Sequence, residues 1–259
     1  MTDPSPVLIE RRDAAAILTL NRPEQRNPLS VEMMLAVTES LQSASADPGV
    51  RAIVIRGAGT LFSAGHNLRE MVNRELDDQR EIFDVCTRMM QAVQAVPQPV
   101  IAQVHGVAAA AGCQLVATCD LAIAAEGTRF FTPGVRIGLF CSTPMVALSR
   151  AVSRKRAMEM LLTGEPIDAA TAVDWGLINR AVPAERLEDE VMDLVARLAA
   201  SSPLTVAIGK RAFYEQIDLS QELAYERMAE TMATNAMACD AQEGIDAFLS
   251  KREPTWTGT

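Results

Sequence analysis

Apolar residues along this 259-residue chain fall first into short unbroken runs and later into stripes spaced three and four apart. The runs at 14–20, 52–56, 100–104 and 121–125 have the length and β-branched content of buried strands. Helical patterns lie between them. One begins near Ser30, and another is marked by Ile82, Val85, Met89 and Val93 and ends before Pro97. Its stripe reads as a simple core-facing helix. This alternation predicts an α/β arrangement. After about Leu194 the strand signals stop and three helical patterns follow, separated near Pro203, Ser220 and Asp240. The last opens on the capping pattern Asp240-x-x-Glu243. Residues 1–194 are therefore expected to form an α/β core and residues 195–259 a helical region, in which Met228, Met232 and Met237 fit buried helix contacts.

Composition narrows the classes of function. With 49% hydrophobic and 22% charged residues the chain can bury a sizeable core. Its net charge of −9 argues against broad binding to nucleic acid or anionic membranes, which needs a dense cationic surface. No run approaches the roughly 20 apolar residues of a membrane span, so no membrane insertion is expected. The opening Met1-Thr-Asp-Pro-Ser-Pro6 lacks the basic and apolar regions of a secretory signal. A cytoplasmic protein is expected. Five cysteines, with no paired CxxC framework, point to free thiols. The two histidines, His66 and His105, have no metal-ligand spacing, so no metal site is expected.

Gly57-Ala-Gly59 is followed by its next glycine only at Gly65, which fails the dinucleotide-loop spacing. The chain also has no Gly-x-x-x-x-Gly-Lys phosphate loop and no Gly-x-Ser-x-Gly elbow.

Two other segments carry chemistry. In Ala108-Ala-Ala-Ala-Gly-Cys-Gln114 a run of tiny residues precedes an apolar helical pattern. With no more than a Cβ at Ala110 and Ala111, and none at Gly112, the amides opening that helix can approach a bound group, and the peptide dipoles there favour negative charge. Phe62-Ser-Ala-Gly-His66 follows the run at 52–56, and its Ala64-Gly65 is a second tight turn at a strand end. Two such turns can supply two amide donors to one oxyanion.

These segments resemble the enoyl-CoA hydratase/isomerase, or crotonase, superfamily. The resemblance spans nearly the whole chain. It rests on Phe62-Ser-Ala-Gly-His-Asn-Leu68, Gly106-Val-Ala-Ala-Ala-Ala-Gly112 and Cys119-Asp-Leu-Ala-Ile-Ala124, with Asn21-Arg-Pro and Asn27-Pro-Leu before them. Leu161-Leu-Thr-Gly-Glu-Pro-Ile-Asp168, Trp175-Gly-Leu-Ile-Asn179 and Glu243-Gly-Ile-Asp-Ala-Phe248 follow. The resemblance implies a spiral of ββα turns with a C-terminal helical trimerisation region, assembled as a homotrimer or hexamer. It places the backbone amides of His66 and Ala111 as an oxyanion hole for a thioester carbonyl. It also places Arg22, Arg26, Asn27, Ala64, Leu68, Val107 and Gly112 along the acyl-CoA, with Phe248 and Lys251 closing over it from the same or a neighbouring subunit. Coenzyme A belongs to the substrate, and no separate cofactor is implied.

Hydratases of this superfamily use two glutamates where this chain has Gln114 and Gly134. An amide cannot activate water as a carboxylate does, and general acid–base help is worth about 10²–10⁴-fold, so the standard hydration route is expected to be weak or absent. His66 and Cys141 are the side chains that stand ready as replacements. The sequence resembles in particular the subgroup called enoyl-CoA hydratase domain-containing proteins. Three readings stay open: an acyl-CoA lyase or isomerase of hydratase/isomerase type in fatty acyl metabolism, a malonyl-type CoA decarboxylase, and a non-catalytic acyl-CoA binder.

Overall fold

A computed structural model describes residues 5–259 of the chain. The residues before Ser5, on which the reading of the opening segment partly rested, lie outside the described residues. A six-stranded sheet forms the frame, built from β1 (Val7–Arg12), β2 (Ala15–Leu20), β4 (Ala52–Gly57), β6 (Val100–Val104), β8 (Leu121–Ala125) and β11 (Arg180–Val182), in that spatial order. Only the β1–β2 pair is antiparallel. A two-stranded pair, β3 (Pro28–Leu29) with β5 (Gly65–His66), and a three-stranded sheet of β7 (Val107–Ala109), β9 (Arg129–Phe131) and β10 (Ile167–Asp168) lie beside it. The helices are α1 (Val31–Ser45), α2 (Leu76–Ala95), α3 (Ala111–Thr118), α4 (Ser142–Ala151), α5 (Arg154–Thr163) and α6 (Ala169–Trp175), followed by α7 (Leu187–Ala199), α8 (Pro203–Gln216), α9 (Gln221–Ala236) and α10 (Cys239–Ser250). This is the expected crotonase-type α/β spiral with a helical C-terminal part.

The period-2 alternation of each central strand feeds two separate cores. Ala16, Leu18, Leu20, Ile53, Ile55, Val100, Ala102 and Val104 face the large core under α1, α2 and α3. Ala15, Ile17, Val54, Ile101 and Ile123 face the opposite side, where Leu187, Val191 and Val195 of α7 cover them. Strands buried on both faces read as continuous apolar runs, which is why these four were legible. Each fully buried aliphatic side chain contributes about 1.5–3 kcal/mol, so α7 is held to the sheet by its apolar stripe. Position 194 lies inside α7.

The tail is tied back by polar bonds. Asp240 is buried and accepts from Ser202 Oγ at 2.5 Å, Thr257 N at 2.7 Å and Gly258 N at 3.0 Å. It therefore does not cap α10, whose N-cap residue is Ala238; binding the chain end outcompetes the local cap. Met228 is half-buried, and Met232 and Met237 are 70% and 81% exposed, so the contacts expected of these two are not made within one chain. Met232 points outward from α9, and Met237 follows its end. Among the described residues no single helix is long and apolar enough to cross a membrane.

Candidate active site

Two backbone turns meet where β5 passes the start of α3. Gly65 has φ +95°, and a Cβ there would lie 2.8 Å from Ala109 O and 3.1 Å from Ala111 N. A side chain at 65 would force the turns apart. Gly112 serves the same end, since a Cβ on it would lie 2.6 Å from Ser63 O. Ser63 braces the turn by donating from Oγ to Asn27 O and accepting from Gly65 N. The first i→i−4 bond of α3 runs from Gln114 N to Ala110 O, which leaves the amides of Ala111, Gly112 and Cys113 ahead of the helical ladder. Ala110, which enters the helix, sits at φ 49°, ψ −117°, unusual for a residue with a Cβ.

A cavity of about 900 Å³ opens in front of these turns. Its wall includes Ala64, His66, Leu68, Phe83, Ala110, Pro133, Gly134, Leu139, Phe140, Cys141 and Pro144. The charged residues that line it, Glu24, Arg26, Arg69 and Arg136, are all exposed, whereas Gly134, Cys141 and Pro144 on the same wall are buried. His66 meets the Phe83 ring edge-on, with centroids 5.5 Å apart. Burial pushes its imidazole down from 6.5 to about 4, so the ring is neutral at physiological pH. Its Nε2 is shielded and has no hydrogen-bond partner. Burial also raises the Cys141 thiol, against a hydrogen bond with the Gly134 backbone that lowers it. That is the state of a resting thiol rather than an activated one.

The residues expected from the sequence divide sharply. Arg26, Ala64, His66, Leu68, Gly134 and Cys141 line the cavity, and Ala111 lies buried behind Ala110 at its wall. The other expected residues do not line the cavity of the single chain. Gln114 is buried in α3 with its Oε1 4.0 Å from Cys86 Sγ, and does not line the cavity. Asn27 is wholly buried; its side chain accepts from Arg22 N and donates to Ala58 O and Leu61 O, so it holds a loop instead of a ligand. Arg22 pairs with Glu32 at 3.3 Å. Val107 belongs to the β7 ladder and Gly112 packs on Ser63. Phe248 and Lys251 stand at the end of α10, away from the cavity of their own chain, with Phe248 83% exposed.

Sequence reasoning missed Arg69 and Arg136 as lining residues, because an exposed arginine carries no local pattern that sets it apart from the rest of the surface.

The sequence matches the enoyl-CoA hydratase/isomerase family over residues 10–259. The chain belongs to that family. It is 46% identical over 241 residues to enoyl-CoA hydratase domain-containing protein 3, mitochondrial, of Xenopus laevis, covering 93% of this chain and 82% of that protein. A solved structure of an enoyl-CoA hydratase from Mycobacterium smegmatis superposes with TM-score 0.95 at 46% identity, covering 98% of this chain and 99% of that one. Human enoyl coenzyme A hydratase domain-containing protein 3 superposes with TM-score 0.94 at 42% identity, covering 97% and 100%. The cytoplasmic expectation is overturned, because the frog, zebrafish and human relatives are all named mitochondrial. The lack of a secretory signal, on which that expectation rested, does not separate one compartment reached without secretion from another.

Proposed function

We propose that this protein binds acyl-CoA thioesters and stabilises the thioester enolate with the backbone amides of His66 and Ala111, in fatty acyl-CoA metabolism. The observation that carries this reading is the approach of the Gly65–His66 turn to the start of α3, at the wall of a largely apolar cavity of about 900 Å³. Two preorganised donors act on charge as it develops. Arg26, Arg69 and Arg136 stand at the surface where the phosphates of coenzyme A would approach. Family membership supports the ligand class.

Hydration by the two-glutamate route is not part of this reading. Gln114 points its amide at Cys86, and Gly134 offers no side chain. The same two facts favour a second reading, decarboxylation of a malonyl-type CoA ester, in which the departing CO₂ leaves its electron pair on carbon and no carboxylate base is needed.

Calorimetric titration with butyryl-CoA, free coenzyme A and butyrate tests the first reading. Butyryl-CoA binds most tightly if the thioester carbonyl meets the two amides; absence of binding removes the proposal. Release of CO₂ from methylmalonyl-CoA tests the second.

A further inference from the structure

His66 is the residue whose backbone amide the proposed function uses, yet its side-chain Nε2 has no hydrogen-bond partner. The imidazole lines the cavity, packs edge-on against Phe83, and leaves a shielded Nε2 with no hydrogen bond. A shielded nitrogen with no hydrogen bond is rare in a folded protein, and at the wall of a cavity it points to a group kept for a ligand. The χ2 torsion of a histidine is soft and roughly two-fold, so the ring can turn that nitrogen into the cavity without moving the backbone.

The one carboxylate among the described residues lining the cavity, Glu24, is exposed at its surface, and the groups at the positions of the missing glutamates are not equipped to move a proton. Gln114 is an amide turned toward Cys86. Gly134 has no side chain, and the space for one is filled by Leu139 O, with Cys141 Sγ 2.8 Å from the same point. The Cys141 thiol is held protonated by burial.

We propose that the His66 imidazole is the catalytic residue that moves a proton to and from the carbon next to the thioester carbonyl. In the tautomer with its proton on Nδ1, Nε2 offers a lone pair. The substrate C–H bond breaks, its electron pair forms the carbon–carbon bond of the enolate, the carbonyl oxygen takes the negative charge, and the proton bonds to Nε2. Return of a proton from Nε2 to carbon closes the cycle with no oxidant, reductant or metal. The enolate beside the imidazolium stabilises it, so the empty cavity holds a neutral ring and the occupied one accepts charge. This assignment rests on the thioester lying against the two amides.

The test is deuterium uptake at the α-carbon of butyryl-CoA in heavy water, followed by mass spectrometry, alongside calorimetric binding of the same ester. The natural protein takes up deuterium, while His66→Asn and His66→Phe bind the ester and exchange about 100-fold more slowly or less. Exchange within about three-fold of the natural rate in variants that bind overturns the assignment. So does a natural protein that binds without exchanging, or a folded variant that loses binding. A natural protein that binds no ester instead removes the proposed function itself. Because the chain has two histidines, their nitrogen resonances give a second reading on the unaltered protein. Butyryl-CoA shifts the His66 Nε2 signal and spares His105; an unmoved His66 signal also overturns the assignment.

Discussion

Gly134 and Leu139 close a turn so tight that a Cβ on the glycine would fall well inside van der Waals contact with the Leu139 carbonyl oxygen. Leu139 N in turn donates to Gly134 O at 2.9 Å, so the loop cannot yield at one end alone. Gly134→Ala is expected to destabilise the fold by about 1–3 kcal/mol through overpacking. For the same reason Gly134→Glu does not install an acid. The pair Gln114→Glu with Gly134→Glu melts at a lower temperature than Gln114→Glu alone and hydrates crotonyl-CoA no faster. Restored hydration with unchanged melting would show that the loop opens and that this account of it is wrong.

Stability against pH carries the signature of His66. Folded, its imidazole takes a proton only near pH 4; unfolded, it does so near 6.5. Between those values the unfolded chain binds the extra proton, so stability falls as pH drops through this window and levels off below it. From pH 7 to pH 5 the loss specific to His66 is about 2 kcal/mol. Urea unfolding of the natural protein and of His66→Phe at both pH values isolates it, since other groups titrate in both. Parallel stability curves would show that the imidazole is not buried neutral.

Asp120 anchors α8 to the sheet. Its carboxylate meets Lys210 Nζ at 2.7 Å, accepts from Tyr214 OH at 2.8 Å and from Val100 N at 2.7 Å, while Lys210 also donates to Val93 O and Gln98 O. The Lys210 and Asp120 side chains are only 7% and 15% exposed. Removing one partner strands a buried charge, so Asp120→Ala is expected to cost about 3–5 kcal/mol. The double change Asp120→Leu with Lys210→Met costs less than the sum of the singles, as a denaturation cycle measures. Additive losses would mean the pair is uncoupled.

Ala110 holds a backbone conformation that glycine adopts more readily. Strain at such a residue is worth about 1–3 kcal/mol, against about 0.5–1 kcal/mol lost to the greater freedom of an unfolded glycine. Ala110→Gly is therefore expected to raise stability by about 1 kcal/mol in chemical denaturation. A loss of stability would show that the Ala110 methyl packs more favourably than its backbone is strained.

The division between what sequence reasoning reached and what it missed follows physical lines. The strands β2, β4, β6 and β8 are buried on both faces, and Ser30 accepts from Met33 N, so runs and caps declared them. Strands of two or three residues, such as β5, β7 and β10, are too short to show a period and exist only through their partners. The amide turns were legible because tiny residues constrain backbone directly. The direction of Gln114 was not, because it depends on how α3 is rotated against α2 and Cys86. Ala110 was read as open space, whereas its backbone angles are the unusual feature.

The tail helices leave an apolar face with no cover in the single chain. Phe213 and Ile217 of α8 and its end, Leu223, Tyr225 and Met232 of α9, and Ile245, Phe248 and Leu249 of α10 are each at least half exposed. So many exposed large apolar side chains on three neighbouring helices point to an association site. A homotrimer or a pair of trimers is the expected occupant, with Phe248 then free to reach a neighbour's cavity. Leu223→Glu combined with Met232→Glu separates the cases by sedimentation. On a face that stays in water these changes move stability by no more than about 0.5 kcal/mol and leave the mass unchanged. On an assembly face they bury charge without a partner, and the natural oligomer dissociates. A natural protein that sediments as a monomer would remove the trimer altogether.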